Sequence, residues 1–170
     1  LTAYRDLPEA DVIIFNIGNR PAHWGDMPKK LGYLDLMHVA SWQISFKRES
    51  IVNNNVYFDE HMGAGSGNGA EEEFRFLTDC RKNGLAIYYV PFVIADVAQT
   101  KSTWFKGYNE EFFINRGNTT RYIMGYVPAV LYAAYYSIRK RHQFDSDISW
   151  FKAFRLIMKG IHENRLGKKK

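Results

Sequence analysis

Alternating apolar and polar segments along the chain predict a succession of strands and helices. Residues 11–17 form a continuous apolar, β-branched run, the pattern of a strand that is buried on both faces. Residues 18–35 contain two prolines and three glycines among polar residues and are predicted to be loop. Residues 41–48 alternate apolar and polar side chains, which predicts a half-buried strand. Residues 86–90 and 92–95, on either side of a proline, predict another strand region.

Helical patterns fill most of the rest of the chain. A helix is predicted from the acidic run at residue 71 to about Asn83, where Gly84 supplies a left-handed stop. Further helices are predicted at roughly 108–116, 119–140 and 148–163. Strands alternating with helices indicate the α/β fold class.

The helix that begins at the acidic run places one carboxylate on its apolar face. Since each residue advances the helix by about 100°, Leu77 lies near 40° from Glu73 and Cys80 near −20°. Glu73 therefore shares a face with buried-type residues. Glu72 falls at the edge of that face, and Glu71 points toward solvent.

The position of Glu73 is the strongest chemical signal in the sequence. The helix dipole favours acidic residues in a first turn and accounts for Glu71 and Glu72. A carboxylate on the inward face must find a partner, line a cavity or become protonated, so Glu73 is predicted to be functional. A salt-bridged structural glutamate is the alternative. The glycine-rich loop at 63–69 would suit a substrate-admitting segment directly before the helix.

Composition restricts the class of protein. The 170 residues are enough for one domain or one piece of a larger one, and 46% hydrophobic with 16% aromatic residues excludes a disordered chain. The single cysteine, Cys80, excludes a disulfide framework and a multi-cysteine zinc site. The N-terminus lacks a signal-peptide pattern, and no apolar run reaches the roughly 18 residues of a spanning helix.

The net charge of +5 is concentrated at the C-terminal end. Ten basic and three acidic residues follow Ile138, whereas the preceding part is slightly acidic. This distribution argues against a nucleic-acid footprint over the whole protein. The region from Tyr122 onward also mixes tyrosines and a tryptophan with its cations, as interfacial helices do on anionic lipid. Packing of these helices on the rest of the protein is the other interpretation.

Several short motifs follow one another in a recognisable order: Phe58-Asp59-Glu60, Gly63-Ala64-Gly65, Glu72-Glu73, Phe76-Leu77, Gly84 and Ile87-Tyr88-Tyr89 before Pro91. This order resembles the C-terminal half of bacterial polysaccharide-type family 2 glycosyltransferases of the GT-A fold. The resemblance covers about residues 10–117. It implies that residues 1–117 form the acceptor-side part of a mixed-sheet catalytic domain and that residues 118–170 form a basic, aromatic helical extension.

The resemblance implies inverting transfer of a sugar from a nucleotide-sugar to an acceptor hydroxyl, in the synthesis of cell-surface polysaccharide or glycolipid. The family's catalytic base falls on Glu73, the residue that the helical geometry also selects, and Glu72 would help to position the acceptor or the loop. The predicted acceptor-site residues are Asp59, Glu60, His61, Gly65 and Trp104. For His61 and Trp104, surface or core packing is the alternative.

The resemblance also implies what this chain lacks. The nucleotide-binding half, with the Asp-x-Asp motif that holds Mg²⁺ or Mn²⁺, would precede Leu1, so we expect this chain alone to be inactive and to expose apolar surface where that half would pack. Gln99 stands where many members have a metal-binding histidine, and no metal ligand is expected from this chain. The expected partners are a nucleotide-sugar, a carbohydrate or lipid-linked acceptor and an anionic membrane surface, with no nucleic acid. The expected location is the cytoplasm, at the inner face of the membrane. The alternative function is a non-catalytic domain that docks on a membrane or a partner.

Overall fold

The chain divides into two units, one built on a β-sheet and one built from helices. The structure is a computed structural model that describes residues 2–18, 23–63, 66, 71–98, 105 and 107–168. The sheet unit comprises residues 1–62 and 71–101, and the helical unit comprises residues 63–70 and 102–170. The mixed α/β class predicted from the sequence is confirmed.

The sheet unit contains a small mixed sheet of four strands in the order β2-β4-β1-β3. The strands are β1 (Val12–Ile17), β2 (Lys29–Lys30), β3 (Ile44–Phe46) and β4 (Ile87–Ala95). β1 is parallel to β4 and antiparallel to β3, and β2 is antiparallel to β4. The two central strands thus end at the same edge of the sheet.

β1 is buried on both faces, as its apolar run predicts. Ile13 and Phe15 pack with α1 (Thr2–Asp6) and the residues that follow it. Val12 pairs with Phe46 of β3, so these two side chains share the opposite face of the sheet. The ring of Phe46 lies 5.6 Å from that of Phe76, which belongs to helix α3 (Glu72–Lys82). Helices therefore cover β1 from both sides.

β4 continues through Pro91, which interrupts the strand region predicted from the sequence. Val90 pairs with Phe15, but the next paired residue on β4 is Val93, which pairs with Asn16. The register shift leaves Pro91 and the following residue without partners on β1, and a bulge of this kind accommodates a residue that has no N–H.

The predicted strand over 41–48 is wrong at both ends. Ser41–Gln43 is a 3-10 turn, only Ile44–Phe46 is a strand, and Arg48–Asn53 forms a short helix, α2, that the sequence analysis does not predict. The side-chain amide of Gln43 accepts a hydrogen bond from the backbone N–H of Ala40, which favours the turn over extended backbone.

α3 ends as its sequence predicts. Gly84 adopts φ +80°, its N–H bonds to the carbonyl of Arg81, and the N–H of Leu85 bonds to the carbonyl of Cys80. This pair of bonds is a Schellman motif, in which glycine avoids the cost that a β-carbon has in left-handed backbone.

The described part of the helical unit contains three α-helices, α4 (Glu110–Met124), α5 (Tyr126–Arg139) and α6 (Trp150–Glu163). Asn109 caps α4 and Ser149 caps α6, each through its side-chain oxygen. The break predicted between a helix at 108–116 and a helix at 119–140 is wrong, because α4 is continuous through residues 116–119. The chain turns instead at Gly125, which has φ +86°. The predicted domain boundary after residue 117 accordingly falls within α4.

α4 and α6 cross backbone to backbone. A β-carbon on Gly117 would lie 2.1 Å from the carbonyl oxygen of Ile157, and one on Gly160 would lie 2.0 Å from that of Ile114. Each glycine thus gives the other helix room to approach. Asn118, beside the crossing, is buried and accepts a hydrogen bond from the backbone N–H of Arg165, just past the end of α6.

Candidate functional site

The candidate site lies at the start of α3, where the structure places Glu73 on the buried face of the helix. The residue is 6% exposed and shares that face with Phe76, Leu77 and Cys80. The inward position predicted for Glu73 is confirmed. The buried face is wider than predicted, because Phe74 is also covered, its ring lying 5.7 Å from that of Tyr33.

One hydrogen bond holds the Glu73 carboxylate in place. The backbone N–H of Ser41 donates to Oε1 over 3.2 Å. Within the described ranges, the Glu73 carboxylate makes this one hydrogen bond and forms no ion pair with a lysine or arginine. The salt-bridged glutamate considered as an alternative is thus not what the described residues form.

Gln43 positions the donor that Glu73 uses. Its side-chain oxygen accepts from the N–H of Ala40 over 3.0 Å, and its side-chain nitrogen donates to the carbonyl of Phe15 over 3.0 Å. Phe15 lies in the second half of β1. The turn that carries Ser41 is therefore fixed to the sheet, and the Glu73 carboxylate is placed relative to the carboxyl end of β1 through backbone atoms.

Glu72 occupies a different environment from Glu73. It is half-buried, as its place at the edge of the apolar face predicts, and its Oε2 atom is shielded from water without a hydrogen-bond partner among the described residues. Burial raises the pKa of the Glu72 carboxyl, and the neighbouring charge of Glu73 raises it further. The two adjacent acids thus differ: the Glu73 carboxylate is held by a hydrogen bond, and the Glu72 carboxylate is poorly solvated.

The residue before the helix carries backbone strain. Glu71 caps α3 with φ +71° and ψ 20°, in the left-handed region that side chains with a β-carbon seldom adopt. It is partly exposed, and the prediction that Glu71 points toward solvent stays a prediction. Left-handed residues that are not glycine often occur next to functional groups.

The aromatic ring of Phe76 joins a second predicted segment to the same face of α3. The ring of Phe58 stacks on it with centroids 4.3 Å apart and an interplanar angle of 4°. Asp59 follows directly and closes a turn, its Oδ1 atom accepting from the N–H of His61 over 3.0 Å. The predicted acceptor residues Asp59, Glu60 and His61 are therefore carried by a segment that packs on the helix of Glu73, with the last two exposed.

Two predicted acceptor residues, Gly65 and Trp104, lie outside the described residues, as does Gln99. The predictions made for them stay predictions.

α3 also carries an ion pair and a buried thiol. Arg75 and Asp79 form an ion pair of 2.6 Å on one side of α3. Burial raises the pKa of the Cys80 thiol to about 12, and the charge of Asp79 adds to this effect. The thiol is protonated at neutral pH and is not a nucleophile.

The residues that hold the Glu73 carboxylate are not among those predicted from the sequence. Ser41 acts through its backbone N–H, which no side-chain pattern reports. Gln43 carried a usable signal, since a glutamine three residues after the start of a turn is typical of a capping box, and Ala40 and Gln43 show half of that pattern.

Comparisons with known proteins do not assign the chain to a family. No family model, curated protein or solved structure matches the chain. Within the described ranges, no group of three or more histidine, cysteine, aspartate or glutamate side chains is placed to hold a metal ion. The arrangement provides a buried, anchored carboxylate beside a poorly solvated one, which is chemistry suited to proton transfer.

Proposed function

We propose that this chain is the acceptor-side part of an inverting GT-A glycosyltransferase and that Glu73 is its general base. The observation that carries the proposal is the Glu73 carboxylate itself, buried at the start of α3 and anchored by the N–H of Ser41. The motif order around it, which resembles family 2 glycosyltransferases, selects the same residue. These two arguments use different information, one from burial and one from sequence order.

In the proposed reaction the Glu73 carboxylate accepts the proton of an acceptor hydroxyl. The hydroxyl oxygen forms a bond to the anomeric carbon of the donor sugar, and the bond from that carbon to the nucleoside diphosphate breaks on the opposite face. The sugar is transferred with inversion, and the diphosphate leaves with the electron pair. Position matters most for such a base, because it must lie within hydrogen-bond reach of the attacking hydroxyl.

Glu72 is proposed to position the acceptor or the loop before the helix. Because its pKa is raised, its carboxyl is more readily protonated than an ordinary glutamate and is then able to donate a hydrogen bond to a sugar oxygen. Asp59, Glu60 and His61 are proposed to border the acceptor site, because stacking of Phe58 on Phe76 holds their segment against α3. The family resemblance also assigns acceptor roles to Gly65 and Trp104, which lie outside the described residues.

The donor side is proposed to be supplied by other parts of the protein. The resemblance implies that Mg²⁺ or Mn²⁺ neutralises the leaving diphosphate. The described residues offer no ligand set for such an ion, so the role proposed for Glu73 includes no metal-dependent step. The proposed setting is bacterial cell-surface polysaccharide or glycolipid synthesis at the cytoplasmic side of the membrane, where a nucleotide-sugar meets a carbohydrate or lipid-linked acceptor.

A nucleotide-sugar screen tests the proposal. The full-length gene product that contains this chain is incubated with UDP-, GDP- and dTDP-sugars, Mg²⁺ or Mn²⁺ and a bacterial lipid extract, and release of nucleoside diphosphate is recorded. We expect release from at least one donor and its loss in the Glu73→Gln variant. Glu49→Gln is the matched control, since Glu49 is an exposed acid in the first turn of α2. Absence of release from every donor would favour the non-catalytic alternative.

A further inference from the structure

Helix α5 is apolar on two opposite sides. Its inner side packs into the core of the helical unit through Ala129, Ala133 and Tyr136. Its outer side exposes four large side chains, which are 66%, 68%, 52% and 55% exposed: Val127, Leu131, Tyr135 and Ile138. A surface helix of a globular protein ordinarily turns polar residues outward. The outer side of α5 is therefore apolar, although an exposed helix face is ordinarily polar.

The four exposed residues form one stripe, which we call the α5 stripe. They follow one another at intervals of four, four and three residues. At about 100° per residue, all four lie within roughly 80° of the helix circumference. In a helix of 14 residues the stripe is about 17 Å long, at a rise of 1.5 Å per residue from Val127 to Ile138.

Along the sequence, the charges that flank the stripe have a single sign. Between Glu111 and Asp145 the sequence contains no acidic residue and five basic ones. Three of these follow the end of the stripe directly, at Arg139, Lys140 and Arg141, with both arginines exposed. Aromatic side chains are also exposed at the start of α6, at Trp150 and Phe151.

These features match an anionic lipid surface. Apolar and aromatic side chains insert at the boundary between headgroups and acyl chains, and flanking cations bind acidic headgroups. A helix lying along the surface is the geometry that fits, because no helix within the described ranges is long and apolar enough to cross a bilayer. The side chains of the stripe carry one polar atom, the hydroxyl oxygen of Tyr135. A tyrosine at a membrane interface keeps its hydroxyl in the hydrated headgroup region.

We propose that the α5 stripe docks on an anionic membrane surface, with Arg139, Lys140 and Arg141 binding the acidic headgroups. A protein partner is disfavoured, because protein interfaces carry about one hydrogen bond per 100–200 Å² and the stripe offers almost no groups to make them. The proposal does not rest on sugar transfer, and it would hold for a non-catalytic protein as well.

Co-sedimentation with vesicles tests the proposal on the 170-residue chain. The probes are vesicles of phosphatidylcholine with phosphatidylglycerol in equal parts, and vesicles of phosphatidylcholine alone. We expect binding to the mixed vesicles that weakens with salt, and at least about 10-fold weaker binding to the neutral ones. No binding to mixed vesicles at low salt would overturn the proposal.

Paired variants separate the stripe from general hydrophobicity and charge. Val127→Gln with Leu131→Gln should weaken binding to mixed vesicles about 10-fold or more, since both side chains are exposed and their loss leaves the core intact. Met27→Gln with Val52→Gln removes two exposed apolar side chains from the sheet unit and should leave binding unchanged.

The charge variants are matched in the same way. Arg139→Gln with Arg141→Gln should weaken binding about 10-fold at low salt. Arg5→Gln with Arg48→Gln, which removes the same charge from exposed positions of the sheet unit, should change it by less than about 3-fold. Equal losses in both pairs would mean that net charge alone drives binding and would overturn the assignment to α5.

Light scattering on the purified chain tests whether a second copy of the chain binds the stripe instead. A monomer that binds mixed vesicles supports membrane docking. A dimer that Val127→Gln with Leu131→Gln dissociates would show that the stripe is an interface between copies, and this would overturn the proposal. Circular dichroism of each variant establishes that it is folded before binding is compared.

Discussion

Gly117 of α4 and Gly160 of α6 face each other at the helix crossing, and neither position has room for a β-carbon. The crossing joins the first and last helices of the helical unit and brings Asn118 within reach of the chain that leaves α6. The helical unit therefore depends on two residues that helix propensity alone would reject.

Alanine at either glycine should destabilise the helical unit. Alanine is favoured over glycine in a helix interior by about 1 kcal/mol, so propensity alone predicts a gain. Because the new β-carbon would lie about 2 Å from a backbone carbonyl oxygen, the helices must separate, and we expect a net loss of about 1–3 kcal/mol. Urea denaturation followed by circular dichroism measures the change. Gly32→Ala is the control, since its β-carbon would make only a 3.4 Å contact; an equal loss there would contradict the account.

Glycine at position 71 should stabilise the sheet unit relative to alanine. Both substitutions remove the Glu71 carboxylate, but only glycine relieves the left-handed backbone at φ +71°. We expect Glu71→Gly to be more stable than Glu71→Ala by about 1 kcal/mol. Thermal or urea unfolding of the two variants gives the difference. Equal stability would mean that residue 71 carries no such strain.

Glu72→Gln should stabilise the protein at neutral pH. A carboxyl whose folded pKa is raised stabilises the fold below its ordinary pKa of 4.5, and this contribution is lost as the pH rises through the folded value. At neutral pH the wild-type protein therefore carries a poorly solvated charge, which the variant lacks. The stability difference, measured by urea unfolding, should shrink as the pH falls through the raised folded pKa toward 4.5, and should be lost below that value. A variant that is less stable than wild type at neutral pH would contradict the environment described for Glu72.

Cys80 should resist thiol reagents until the protein unfolds. Burial raises the pKa of its thiol to about 12, so the thiolate is scarce in the folded state at ordinary pH. The stabilisation from the neutral thiol is present below its ordinary pKa of 9.0 and is lost as the pH rises toward 12. Labelling by a chromogenic disulfide should follow the urea unfolding curve, and Cys80→Ala should lose part of the alkaline destabilisation. Rapid labelling of the folded protein at pH 8 would show that the thiol is accessible.

The sequence predicts best where the pattern is local. The face of α3 that carries Glu73 follows from helical spacing, and the end of α3 follows from Gly84, whose backbone requirement is fixed by its immediate neighbours. The burial of β1 on both faces also follows from an unbroken apolar run.

The errors occur where distant residues decide the local structure. At 41–48 the alternation of apolar residues predicts a strand, but the bond from Gln43 to Phe15, 28 residues away, favours a turn. α4 continues through Gly117, a residue that local propensity disfavours in a helix and that here packs against Ile157 of α6, forty positions along the chain. The donor to Glu73 belongs to the backbone of Ser41, and the side-chain pattern carries no information on which backbone groups converge.

The pH dependence of turnover tests the role of Glu73 most directly. With a donor that supports nucleoside diphosphate release, the kcat of the full-length gene product is measured for wild type, Glu73→Gln, Glu72→Gln and Glu49→Gln from about pH 5 to about pH 9. The account predicts that Glu73→Gln lowers kcat about 10²- to 10⁴-fold and abolishes the rise of the rate with pH on the acidic side, while the fold is retained. Glu49→Gln should keep the wild-type profile. A Glu73→Gln variant with wild-type kcat and an unchanged pH profile would contradict the proposal that Glu73 is the base.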